Sequence, residues 1–296
     1  RVTMNRLWYY LFGNGIVESN ADFGIMGSRP SHPQLLDWLA HEFIASDWDY
    51  RHMVKLIVSS AAYRQSGVVS PEKLEKDPQN RLLSRAPRYR MDAEEIRDLA
   101  LSAADLLSTK TGGPSVKPYQ PEGIWETVAM PQSDTKNYTP DIGESLYRRS
   151  LYTFWKRTAP APSMEILNAP SREVFCVRRD RTNTPLQAFV TLNDPQFIEA
   201  SRRLAEHAIK HSPETDSRLD FITQRLLSRP LTADEKKLTR TTLDTALTAY
   251  QKSETDAKAL LAVGETKTDP ALPPAELAAW TLVSSQLFNL DETLNK

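Results

Sequence analysis

Cysteine is almost missing from this chain: Cys176 stands alone among 296 residues. One cysteine forms no internal disulfide, and the Cys-x-x-Cys-His pattern of a covalent c-type haem does not occur. Charge of either sign is not in excess. Lys and Arg number 37 against 38 Asp and Glu, for a net charge of −1. That balance argues against a dedicated nucleic-acid binder, which carries a clear basic surplus. No apolar run approaches the roughly 18 residues needed to span a bilayer. Phosphate-loop, dinucleotide and Gly-x-Ser-x-Gly signatures are also lacking, as is His-Glu-x-x-His. No cofactor is expected. The chain opens on Arg1 without a basic, apolar and small-residue leader, so a segment of a longer protein is expected.

What is present is helical patterning with start signals. Residues 2–12 place aromatic and aliphatic side chains on one side and stop at Gly13-Asn14-Gly15. Ser31 is the expected cap of a helix over 33–45, whose apolar face is Leu35, Leu36, Leu39 and Phe43. Asp49 caps the next helix, with Met53, Val54, Ile57 and Ala61 on one face. Residues 66–88 hold three prolines and read as a connector. Asp92 with Glu95 forms a capping box before Ile96, Leu99, Ala103 and Leu106. Residues 111–145 are broken by Pro and Gly throughout, and read as a long, ordered, irregular excursion. Ser150 to Trp155 is the best strand candidate, with a partner near 172–178. Thr184-Pro185 and Asp194-Pro195 open helices, the second running to about His211. Further helices are expected over 216–228, from Thr232-x-x-Glu235 to about Tyr250, and over 274–288, with a linker over 251–274. The fold class is therefore mainly α: a helical domain with a small β element and a long irregular central region. One domain is expected over 1–296, with a helical half 1–110, a central region 111–183 and a helical half 184–296. The two halves are expected to share a core.

A series of short motifs runs through this frame. They are Asn5 to Trp8 with Phe12 to Val17, Asp22-Phe23-Gly24, His32 to Ala40, Ser59 to Ser66, and Asp77 to Leu83. Arg148 to Tyr152, Arg181 to Ala188, Asn193-Asp194-Pro195 and Leu287 to Glu292 complete it. In this order they resemble the C-terminal domain of unknown function of planctomycete and Verrucomicrobia cytochrome c-domain-containing proteins. The resemblance covers nearly the whole chain. It implies a large exported multidomain protein, periplasmic or in the cell envelope, with an upstream cytochrome c-like region and a second helical domain. It also implies a genomic neighbourhood of polysaccharide-degradation and sulfatase genes. It assigns no catalytic residue.

The residues themselves offer one distinctive constellation. Between 148 and 181 lie Arg148, Arg149, Lys156, Arg157, Arg172, Arg178, Arg179 and Arg181 against only Glu165, Glu173 and Asp180. Guanidinium forks suit carboxylate and sulfate because they donate two parallel hydrogen bonds. The plainer reading is a set of structural ion pairs and solvated charges. Thr184 and Gln187 stand at a helix start, where Thr184 acts as a cap, a ligand contact, or both. Trp8, Trp38, Trp48, Trp125, Trp155 and Trp280 could stack on sugar rings, with Trp38 and Trp280 expected in the core. His207 and His211 share a helix face, which makes them weak metal candidates. Their plainer role is interaction with the helix C-terminal dipole. Glu122, Glu126, Asp134 and Asp141 are the loop carboxylates open to acid–base work, His32 is a further candidate, and Cys176 reads as a buried small hydrophobe.

These observations lead to a binding module without haem of its own. It would contact a partner domain, such as the upstream region of the same protein, or an anionic polysaccharide. The contact residues would be Arg148, Arg149, Arg178, Arg179, Arg181, Thr184, Gln187, Trp125 and Trp155. Nucleic acid is not expected. The alternatives are a polysaccharide-active hydrolase or lyase, using loop carboxylates or a metal, and a structural spacer.

Overall fold

Side-chain caps mark the starts of seven of the fourteen α-helices among the described residues. In the computed structural model, which describes residues 1–295, helices dominate and extended structure is confined to two isolated bridges, Ser108 with Arg148 and Val116 with Thr153. The described residues divide into two compact units. The first is Arg1–Arg90 together with Phe175–Asp180; the second is Met91–Val174 together with Arg181–Asn295.

The first unit contains α1 (Val2–Phe12), α2 (Pro33–Ala45), α3 (Tyr50–Val58) and α4 (Pro71–Lys76). Met4, Trp8 and Phe12 of α1 pack with Leu36, Leu39 and Phe43 of α2 and with Met53 and Ile57 of α3. The Asp49 carboxylate caps α3 by accepting from the Arg51 and His52 amides. Ser31 does not cap α2. His32 is the N-cap residue without a side-chain bond, and Pro33 at the first position needs no acceptor for a missing N–H. The connector over 66–88 is interrupted by α4, which Ser70 caps.

The second unit contains α5 (Ala93–Ala103), α6 (Ile124–Val128), α7 (Pro162–Ile166), α8 (Pro185–Asn193), α9 (Pro195–His211), α10 (Thr215–Leu227), α11 (Ala233–Lys252), α12 (Glu254–Leu261), α13 (Pro274–Phe288) and α14 (Asp291–Leu294). Its core gathers Ile96, Leu204, Leu219, Ile222, Trp280 and Val283 around α9 and α13. The capping boxes at Asp92/Glu95 and Thr232/Glu235 form as expected, and Thr184 and Asp194 cap α8 and α9. The stretch 251–274 is not all linker, because Ser253 caps α12 within it.

The strand expected at 150–155 does not form. Ser150–Tyr152 is a turn of 3-10 helix, and no strand lies at 172–178. The reason is a substitution of partners. Arg97 of α5, 2% exposed, donates to the carbonyls of Leu146 at 2.6 Å and Arg148 at 2.8 Å, and to Ser150 Oγ. Its Nε donates to Gln196. Asp98 accepts from the Ser150 amide and hydroxyl. Side chains thus take the backbone bonds over 146–150, and the rest of the stretch pairs only with Val116, whose amide donates to Tyr152 O and whose carbonyl accepts from the Phe154 amide.

Burial holds the Arg97 pKa down to about 10, so the group stays charged at neutral pH. Arg97→Ala strands several buried acceptors at once and is expected to cost about 3 kcal/mol or more. The check is a lower urea midpoint at unchanged slope. Arg149→Ala, at a half-exposed side chain, should stay within about 0.5 kcal/mol of the parent.

Candidate functional site

The arginines singled out by charge do not form one surface. Arg148 is buried at 4% exposure. Its guanidinium donates to the carbonyls of Pro114, Lys110 and Gly112 and stacks 3.7 Å from the centre of the Tyr152 ring. It ties the irregular segment 110–114 in place. Arg149 reaches solvent beside Asp98 at 3.7 Å. Arg181 is largely covered and faces Asp92 at 4.0 Å. Arg178 and Arg179 belong to the first unit. There the Arg179 backbone exchanges hydrogen bonds with the Tyr9 hydroxyl, and Arg178 is exposed. Thr184 caps α8, while Gln187 is buried and donates to Ile166 O and Thr182 Oγ1.

The aromatic candidates divide as well. Trp125 is 1% exposed, so its ring offers no face to a sugar. It meets Tyr138 edge-on and tilts against Phe154. Two ammonium groups lie against it: Lys156 Nζ at 4.7 Å and Lys117 Nζ at 5.6 Å from the ring centre. Lys156 also donates to Thr135 O. Among the described residues neither lysine forms an ion pair with a carboxylate. The Trp125 Nε1 donor is buried without a partner. Trp155 is partly buried, donates to Ser171 O, and carries the Arg172 guanidinium 4.7 Å over its ring. The result is a cluster built on aromatic side chains of the central region, with cations that lack counter-charges. Lys156 belongs to the basic stretch seen in the sequence, but Lys117 was missed, since only the fold brings residues 117, 125 and 156 together.

Trp38 is not in the core. It lies half exposed on the side of α2 away from Leu36, Leu39 and Phe43, whereas Trp280 is buried as expected. Cys176 is exposed rather than buried, because the segment around it is irregular and Val174 and Phe175 also face water. Its Sγ donates to Arg178 O. His32 Nδ1 meets Ser31 Oγ at 3.0 Å. Of the loop carboxylates, Glu122, Glu126 and Asp134 lie at exposed or half-exposed positions. Asp141 accepts from the Lys117 amide at 2.7 Å and is engaged in holding the loop.

A second constellation was missed by the sequence reading. Glu199, Arg202 and Glu206 of α9 are all buried. Glu199 accepts from the hydroxyls of Tyr119 and Tyr147 and from the amide and hydroxyl of Thr266. Arg202 donates to Thr266 O at 2.6 Å and lies 3.8 Å from Glu199. Burial, then the Glu199 charge, pushes the Tyr119 hydroxyl up to about 12. That rules it out as a base near neutrality. A shallow depression of about 440 Å³ lies beside it, lined by Tyr119, Ile142, Leu146, Val263 and Gly264 among others. Every Glu199 oxygen is already engaged, so the arrangement fastens the loop after α12. The charged triplet at positions 199, 202 and 206, set among alanines, was its only trace in the sequence.

His207 and His211 do not converge on a metal, and no cluster of metal-ligating side chains occurs among the described residues. His211 tilts against Phe221, and His207 lies 3.9 Å from Asp105. Burial, then Arg203, holds the His207 pKa below its ordinary value, with Asp105 opposing. As pH falls through about 6.5, the unfolded chain takes up a proton that the folded chain refuses. Stability contributed by neutral His207 is therefore lost on acidification. Melting temperature should decline between about pH 7.5 and pH 5.5, and His207→Gln should flatten part of that decline.

No curated protein and no solved structure matches the chain. A family described as a protein of unknown function, DUF1553 or PSD1, matches residues 1–243. That match takes in the whole first unit, the central region and the helices through most of α11. The chain belongs to this DUF1553 family.

Proposed function

We propose that the chain is a binding module for an anionic polysaccharide, with the cationic central part of the second unit as its contact surface. The observation that carries this reading is the pair Lys117 and Lys156, both against Trp125 and neither compensated by a carboxylate. Two like charges gathered on one ring repel each other, and an arriving anion relieves that repulsion. Arg172 on Trp155 and exposed Arg157 extend the same sign of charge, while Arg149 is paired with Asp98. Arg148, Arg181, Thr184 and Gln187 are engaged in the internal bonds described above. Arg178 is a separate exposed cation of the first unit. Sulfate or uronate groups along a glycan chain match this chemistry, and the resemblance to domains of exported, polysaccharide-associated proteins agrees with it.

A partner domain is the second reading. It is favoured by α8, which turns Leu186 and Phe189 to solvent at 62% and 63% exposure. The enzyme reading ranks behind both, because a glycoside hydrolase needs two carboxyl groups facing one bond. Asp141 is engaged with backbone, and Glu122, Glu126 and Asp134 are exposed at separate positions, Glu126 on α6. A spacer role would leave the lysine pair unexplained.

The test is titration calorimetry with chondroitin sulfate, using dextran as the neutral control. Chondroitin sulfate is expected to bind with an affinity that falls as salt rises. The double variant Lys117→Glu/Lys156→Glu is expected to lose at least about tenfold, roughly 1.4 kcal/mol. Unchanged affinity in that variant, or equal binding of dextran, overturns the reading.

A further inference from the structure

The stretch Phe43-Ile44-Ala45-Ser46-Asp47-Trp48-Asp49-Tyr50 ends α2 without a glycine. A helix commonly stops through one left-handed residue, and glycine fills that place because it has no side chain to clash. Here two consecutive residues are left-handed, Asp47 at φ 55° and Trp48 at φ 61°. Asp tolerates this conformation; for a residue as bulky as Trp it is a strained outlier. The turn itself does not require the indole. It closes through backbone bonds from the amides of Asp47 to Ile44 O, Trp48 to Phe43 O and Asp49 to Ser46 O. Nor is the indole there to be buried, since Trp48 is 59% exposed.

The strain does achieve one thing. Trp48 and Tyr50 each stand edge-on to the buried Phe43 ring, both at 5.1 Å between centres, with interplanar angles of 79° and 76°. Tyr50 is 52% exposed. Two aromatic rings are thus braced on a third that is fixed in the core, with more than half of each left in water. Asp49 caps α3 and so holds Tyr50 at the first position of that helix. Strain retained at an exposed, rigidly held aromatic pair points to ligand contact.

We propose that Trp48 and Tyr50 form a platform for the apolar face of a neutral pyranose ring, with the Asp47 carboxylate accepting from its hydroxyls. A pyranose presents C–H groups on its faces and O–H donors at its rim. Aromatic faces beside a carboxylate acceptor match that division. The Asp47 side chain is exposed and takes part in no hydrogen bond or ion pair among the described residues. Local charge favours a neutral sugar over an anionic one. Asp47, Asp49 and Glu42 outweigh Arg51, and His52 is paired with Glu42 at 2.9 Å. This site lies in the first unit and is chemically distinct from the lysine cluster of the second.

The experiment titrates the full chain with maltohexaose, cellohexaose and mannohexaose, read by tryptophan fluorescence and calorimetry. At least one is expected to bind with an affinity that does not change between low and high salt. Trp48→Gly gives the decisive variant, because glycine relieves the left-handed strain while removing the ring. It is expected to keep or raise the melting temperature and to weaken binding at least tenfold. Tyr50→Ala should weaken binding similarly, and Lys117→Glu/Lys156→Glu should leave it intact. The inference is overturned if none of the three sugars binds, or if Trp48→Gly binds as tightly as the parent. It is also overturned if Trp48→Gly melts several degrees lower while Tyr50→Ala still binds normally, since the indole would then be a structural brace.

Discussion

The interaction on which the second unit most depends is the donation of buried guanidinium groups to backbone carbonyls. A long segment without helix or sheet leaves its peptide groups unpaired, and a folded interior does not tolerate that. Arg97 resolves it for residues 146–150, Arg148 for 110–114, and Arg202 for 263–266. Each has several N–H groups in a fixed fork, so one side chain closes bonds that a strand would otherwise make one at a time. The irregular centre of this protein is accordingly hydrogen-bonded without being a sheet, and two of the three arginines that do this stand on helices, Arg97 on α5 and Arg202 on α9.

This also explains what could and could not be read from the sequence. Helix starts were legible because their physics is local: Asp49, Asp92 with Glu95, Thr184, Asp194 and Thr232 with Glu235 all cap as their spacing implies. The outcome at 150–155 was not legible, because Asp98, about fifty positions away, takes the Ser150 amide and only the single residue Val116 pairs with Tyr152 and Phe154. Arginine charge was misleading for the same reason. A count cannot tell whether a fork points at solvent or at a carbonyl. Of the cations in the centre, Arg148 and Arg181 are largely covered, whereas Lys117 and Lys156 lie partly exposed against Trp125.

The short motifs that suggest the family have a physical reading in the first unit. Asn5, fully buried, bonds both the amide and the carbonyl of Val17 and reaches Asn20. Gly15 sits so close to these groups that a Cβ there would stand 2.5 Å from Val17 O. Gln65 donates to Ala62 O and Leu83 O, and Asp77 accepts from the Arg81 and Leu82 amides. These residues fasten turns.

The first unit also incorporates Phe175–Asp180, a short piece that follows most of the central region in the chain. Its tie is specific: the Tyr9 hydroxyl both donates to and accepts from the Arg179 backbone. Order of synthesis therefore differs from order of completion. As the chain leaves the ribosome, α1 to α4 are made first but remain one segment short until roughly ninety further residues have emerged. A cut at residue 90 would therefore separate α1 to α4 from Phe175–Asp180, the piece that completes their unit.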